Sequence, residues 1–215
     1  MISGRVETDR YLCRRAGVLK SRRTCILYRI SHLFTRAFAA ERTDQHLKAL
    51  EYDRRKAVAY AHDWAYARNP RYYNFQRIGG DCTNFASQVL YAGCGQMNLT
   101  PVTGWYYVSL SDRAPAWTSV RFFADFLLKN DGLGPYGVEA PLSEAQPGDI
   151  LQLQTTGTGF HHAPVIVEIR GNPAPETILV AAHSEDCDMR PLSTYPYRKV
   201  RLIHILGARG TGKEA

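Results

Sequence analysis

Cys82 follows Gly79, Gly80 and Asp81 and opens the run DCTNFASQVLYAG, in which Phe85, Ala86, Val89 and Leu90 share one face of a predicted helix. A thiol at the amino end of a helix meets unpaired backbone N–H groups and the positive end of the helix dipole. Both favour the thiolate, so the position predicts a lowered thiol pKa. The thiolate is the form that attacks a carbonyl, and neighbouring N–H groups suit the oxyanion that results. The competing explanation is a buried cysteine that packs as a small hydrophobe. A nucleophile needs a base, and His161 and His162 open the strand-like run FHHAPVIVEI behind a Gly- and Thr-rich turn. On a strand the two point to opposite faces, so one of them faces the helix. Alternation does not say which, because 163–167 is apolar throughout. A third group would orient the imidazole, and His183 ends the run TILVAAHS, ahead of Ser184, Glu185 and Asp186. If the two strands pair, His183 lies beside the base. Cysteine, then histidine on a strand, then a polar residue on the next strand is the papain-type order for attack on an amide carbonyl.

The elements that must position these residues follow from pattern. Residues 48–68 read as a helix, with Val58, Ala61, Trp64 and Ala65 at helical spacing and Asn69-Pro70 as the stop. An aromatic loop, RYYNFQRIGG, leads into the Cys82 helix. Asp81 or Thr83 is its expected cap, Gly93 its expected end, and Gly79 and Gly80 its turn. VRFFADFLLKND predicts a third helix, with Val120, Phe123, Phe126 and Leu127 inward and Gly132 beyond its end. The second half changes to short branched runs, GDILQLQ, APVIVEIR, TILVAAHS and KVRLIHIL, separated by Gly, Pro and Asn. Helices followed by consecutive strands predict an α+β fold with an antiparallel sheet packed on helices.

The 215 residues, 45% of them hydrophobic, suffice for one substantial core. Of the net charge of +7, residues 1–44 carry +6, from ten Lys/Arg against four acids. The body is therefore close to neutral, which argues against a nucleic-acid-binding core, while the basic arm suits an anionic polymer or a membrane surface. The expected organisation is a basic, partly disordered extension over 1–47, a catalytic domain over 48–208 and a tail over 209–215. The five cysteines (Cys13, Cys25, Cys82, Cys94, Cys187) form no C-x-x-C pair and are odd in number, which indicates neither a zinc site nor a dense disulfide framework. No apolar run reaches the roughly 18–20 residues of a spanning helix, so a soluble monomer without membrane insertion is expected. CILYRISHLFTRAFAA reads as a basic amphipathic helix, since Arg29, His32 and Arg36 interrupt what would be a signal-peptide core. A leader encoded upstream would make the protein secreted or wall-associated, and without one it would be cytoplasmic.

GGDCTNFASQVLYAG resembles the Putative amidase domain family, a branch of the papain-like cysteine hydrolases that also hold bacterial wall-cleaving CHAP-type amidases. The likeness extends through YDRRKAVAYAHDWA, the N-P-x-Y-Y-x-F stretch, Trp105, Trp117, Pro147–Ile150, His162 and His183. The resemblance implies a papain-like fold with Cys82 as nucleophile, His162 as base and His183 as the third, orienting residue. It implies amide hydrolysis through a thioester, on peptidoglycan stem peptides or small peptides, with no metal or cofactor. One departure stands out: family sequences continue the histidine strand as H-S-x-x-V-T, whereas here Pro164 intrudes and Val167 replaces the threonine. Tyr72 or Tyr73 would match a tyrosine that related wall hydrolases place near the oxyanion, although packing in an aromatic loop also explains them.

Two further functions fit the same residues. An amine in place of water would make the protein an acyltransferase. A non-catalytic glycan- or peptide-binding module would use Trp105, Tyr106, Tyr107 and Trp117 as its platform. Glu185, Asp186 and Asp188 have calcium-like spacing but lack the glycine and distal glutamate of an EF-hand loop, so solvated acids are the expectation.

Overall fold

The computed structural model describes residues 47–211. The basic amphipathic helix, Cys13, Cys25 and nearly all of the expected extension lie outside them. Seven strands form one sheet: β1 (Lys48–Leu50), β2 (Gly134–Ala140), β3 (Ile150–Gln154), β4 (Val165–Ile169), β5 (Ile178–Ala182), β6 (Cys187–Pro191) and β7 (Lys199–Gly210). Their order is β1-β7-β3-β4-β5-β6, with β2 also on β7, and every pairing is antiparallel. The helices are α1 (Arg54–Trp64), α2 (Cys82–Cys94), α3 (Pro115–Thr118) and α4 (Val120–Lys129). The α+β class with an antiparallel sheet is thus as the sequence predicts.

One face of the sheet carries α1, α2 and α4 through a core that includes Ala57, Ala61, Phe85, Val89, Phe123, Leu127, Val165 and Ala181. The other face is closed by Leu151, Leu153, Ile166, Val180, Leu192 and Tyr195. Two features of the first face differ from expectation. Residues 48–50 are not the start of α1 but an edge strand, Lys48↔Gly210 to Leu50↔Ala208, and α1 begins only where the Asp53 carboxylate accepts the Lys56 N–H. Correspondingly, β7 runs to Gly210, two residues beyond the expected domain end. α2 ends not at Gly93 but at Gly95, which adopts the left-handed conformation (φ 64°) that closes a helix. Gly93 sits inside the helix because the Tyr52 ring and the Asp53 carbonyl occupy the space a side chain would need. No helix among the described residues is long and apolar enough to cross a membrane.

Candidate active site

Three segments meet at the amino end of α2. The first is the turn before Cys82, where Gly79 (φ 111°) and Gly80 (φ 97°) take backbone conformations that side chains disfavour. The second is residues 161–163, which lead into β4 along Leu153 of β3. The third is the four-residue turn 183–186 between β5 and β6, closed by the Ala182↔Cys187 pair.

Cys82 begins α2 and is 6% exposed. Its sulfur lies 3.9 Å from the His161 carbonyl, which accepts the thiol hydrogen, and 3.9 Å from Thr83 Oγ1. Burial pushes the thiol pKa up, opposed by hydrogen bonds from the Ala163 N–H, from Thr83 and from the Ser184 hydroxyl. The expected lowering is therefore reversed: the helix end supplies donors, but taking an anion out of water costs more than they return. The resting group is a neutral thiol.

His162 approaches the thiol through its backbone neighbours rather than through its ring. The carbonyl before it and the N–H after it both contact the sulfur, while its imidazole packs on Tyr195 with centroids 5.5 Å apart. No hydrogen bond joins the two side chains. Burial pushes the His162 pKa down to about 4, with Glu185 raising it and Arg190 lowering it. The ring is thus neutral at ordinary pH, and its buried Nε2 has no hydrogen-bond partner. His161 is exposed, and its Nε2 accepts the Thr156 N–H at 3.1 Å.

His183 does not orient His162. It is 1% exposed and stacks on Phe85 with centroids 4.1 Å apart. Its Nε2 lies 2.8 Å from the Trp64 carbonyl, which only accepts, so this nitrogen carries a hydrogen. Nδ1 lies 2.6 Å from Asp81 Oδ2, with a proton between them. Both ring nitrogens are therefore committed, and His183 holds Asp81 in place. Asp81 is fully buried and makes no capping bond to α2; its Oδ1 instead accepts from the Phe75 N–H (2.8 Å) and the Asn84 amide (2.9 Å), with Arg68 Nε 3.3 Å from Oδ2. The capping expected of Asp81 is replaced by this cluster, which ties the loop before Cys82 to β5 and to the end of α1.

The aromatic platform is corrected as well. Trp105 and Trp117 are 0% exposed, and their indole N–H groups donate to Ser87 Oγ (3.0 Å) and Asn84 Oδ1 (2.9 Å) on α2. They are core that braces the helix. Tyr72 stacks on Trp117 and meets Tyr107 edge-on in that same layer, as the packing explanation has it. Each acid of the 185–188 stretch has a side-chain partner: Glu185 meets Arg190, Asp186 meets Arg68 and Asp188 meets the His62 ring. Asp188 ties β6 to α1, Asp186 ties the 183–186 turn to the segment after α1, and Glu185 stays within the hairpin, so no free carboxylate cluster is left among the described residues there. Sequence reasoning missed two contributors, Arg68 and Ser184. Neither carries a motif signal: Ser184 reaches Asp81 and Gln76 from more than a hundred residues away, and Arg68 joins Asp81 to the equally distant Asp186.

The fold and site together define an α+β domain with a helix-end thiol, enclosed by backbone and hydroxyl donors, near a half-buried imidazole whose Nε2 is buried. Residues 51–206 match the family described as Putative amidase domain, and the chain belongs to that family. Its description points to amide hydrolysis. The chain is also 34% identical over 156 residues to "Uncharacterized protein YhbB" of Bacillus subtilis (strain 168), a match that takes in 71% of this chain and 48% of that protein. The chain thus spans about half the length of this curated relative. No solved structure matches.

Proposed function

We propose that the protein is a cysteine-dependent amide hydrolase of papain-like type, with Cys82 as nucleophile and His162 as general base, acting on peptidoglycan stem peptides or small peptides. The observation that carries this is the buried, partnerless Nε2 of His162 on the residue whose two backbone neighbours touch the Cys82 sulfur. A neutral imidazole is the state that accepts a proton. The mechanism requires the imidazole to leave Tyr195, which closes the sheet face opposite α2, and to reach the sulfur, where Nε2 takes the thiol proton. The sulfur then bonds the substrate carbonyl carbon, and the oxyanion collapses to a thioester as the C–N bond breaks. The amine leaves with the proton from His162. Water, deprotonated by the same ring, attacks the thioester, and the acid and the free thiol are released. His183 serves as a positioning residue, through Asp81.

The low exposure of Cys82 and the ring's place on Tyr195 favour a second reading, a peptide-binding module that keeps the fold without turnover. Incubation with purified peptidoglycan fragments, followed by mass analysis, separates the two. Hydrolysis lost in Cys82→Ala supports the enzyme. Retention on insoluble peptidoglycan, with no product from the wild type, supports the module.

A further inference from the structure

Ser184 occupies a backbone conformation that its side chain should avoid. Its φ is 82°, in the second position of the turn 183–186, where glycine is the residue that fits without strain. A non-glycine residue held there costs stability, and such strain persists where the surroundings impose it for another purpose. The surroundings here are specific. Ser184 Oγ accepts the Asp81 N–H at 2.9 Å, and its carbonyl accepts from Gln76 Nε2 at 3.0 Å. A side chain on Gly80 would stand 3.0 Å from Oγ, so the glycine turn leaves the room that this hydroxyl fills. With the Asp81 N–H, one residue before Cys82, occupying a lone pair of Oγ, the hydroxyl hydrogen is free to turn toward the Cys82 sulfur.

We infer that Ser184 is a positioning residue for the nucleophile, its hydroxyl donating to the Cys82 sulfur as that sulfur ionises. This rests on the assignment of Cys82 as nucleophile. In the resting state the thiol hydrogen goes to the His161 carbonyl. Once the proton leaves, that carbonyl offers nothing to the sulfur anion, and Ser184, Thr83 and the Ala163 N–H supply the donors. Of these, Ser184 is the one brought by the β5–β6 turn, and it reports whether that turn is docked. The ionisable groups on the segments that meet at this end of α2 are Asp81 with Arg68, His162 at the approach to β4, and His183, Glu185 and Arg190 of the β5–β6 hairpin. None is altered by a substitution at Ser184.

The test is the pH dependence of Cys82 alkylation by iodoacetamide in the full chain, read by peptide mass with Cys94 as the internal reference. A hydrogen bond to a charged sulfur corresponds to about one pKa unit, so Ser184→Ala raises the Cys82 midpoint by about one unit and slows labelling about tenfold below it. Ser184→Gly removes the hydroxyl as Ser184→Ala does but relieves the strain, so it shows the same shift with a melting temperature above that of Ser184→Ala. A midpoint within about 0.2 units of wild type in both variants overturns the inference. So does labelling of Cys82 and Cys94 at one rate across the pH range in the wild type. The two levels separate cleanly. Hydrolysis that survives Cys82→Ala defeats the nucleophile assignment, whereas an unshifted midpoint with hydrolysis lost in Cys82→Ala defeats the role of Ser184 alone.

Discussion

Removing the Asp81 carboxylate should damage the domain far more than neutralising it. In Asp81→Ala the Phe75 N–H, the Asn84 amide and the His183 Nδ1 lose their acceptor, all beneath a surface that shields the site fully from water. Each stranded buried donor costs about 1–3 kcal/mol, and loss of one partner of a buried charged cluster costs about 3–5 kcal/mol in all. Arg68 retains Asp186, which holds the total within that range. For a domain of this size each kcal/mol moves Tm by about 2–4 °C, so Tm should fall by about 6–20 °C. Asp81→Asn differs in kind. The amide oxygen still accepts from Phe75 and Asn84, and the amide nitrogen donates to His183 Nδ1 while Nε2 keeps the Trp64 carbonyl. What is lost is the charge on the acceptor, about 1–2 kcal/mol as the difference between a charged and a neutral hydrogen bond, or about 2–8 °C. Thermal melts of the three proteins by circular dichroism, backed by urea titration, decide the matter. Equal melting of the two variants, or an unchanged Tm in Asp81→Ala, would refute the reasoning that Asp81 is the hub of this end of α2.

Three more outcomes follow. His162 titrates at about 4 in the folded chain against an ordinary 6.5, so the unfolded chain takes the proton first. Stability should then be full above pH 6.5 and fall as pH drops through that window, by on the order of 3 kcal/mol, and His162→Phe should flatten this limb in urea melts at pH 4 and 7. Gly93→Ala drives a methyl group into the Tyr52 ring and should cost about 1–3 kcal/mol in urea melts, the reverse of the gain expected for an exposed helical site. Trp117→Ala should lose about 3–5 kcal/mol as a core truncation; weakened peptidoglycan binding with an unchanged melt would instead revive a ligand platform.

What the sequence showed and what it withheld divide along physical lines. α2, α4 and the four branched strand runs were legible because local periodicity and burial agree there. β2, GPYGVEA, and β6, CDMRP, were not: glycine, proline and charge disfavour strands locally, and only pairing with β7 and β5 makes them so. β1 was absorbed into a helix because three residues that pair with the far end of the chain leave no periodic signal. At the site, position alone located Cys82 at the amino end of α2, but the sign of its pKa shift depended on burial, which spacing does not carry. His183 was located at its strand end, yet its partners proved to be Asp81 and the Trp64 carbonyl rather than the base. That Trp105 and Trp117 brace α2 depends on Ser87 and Asn84 accepting their indole N–H groups, a tertiary pairing that periodicity does not carry.

The most direct test of the account is intact-mass analysis of the protein during turnover of peptidoglycan stem peptides, with acid quench and peptide mapping. The account predicts a transient acyl adduct on Cys82, absent in Cys82→Ala together with all hydrolysis. Undiminished hydrolysis by Cys82→Ala, or an acyl group on any other residue, would contradict it.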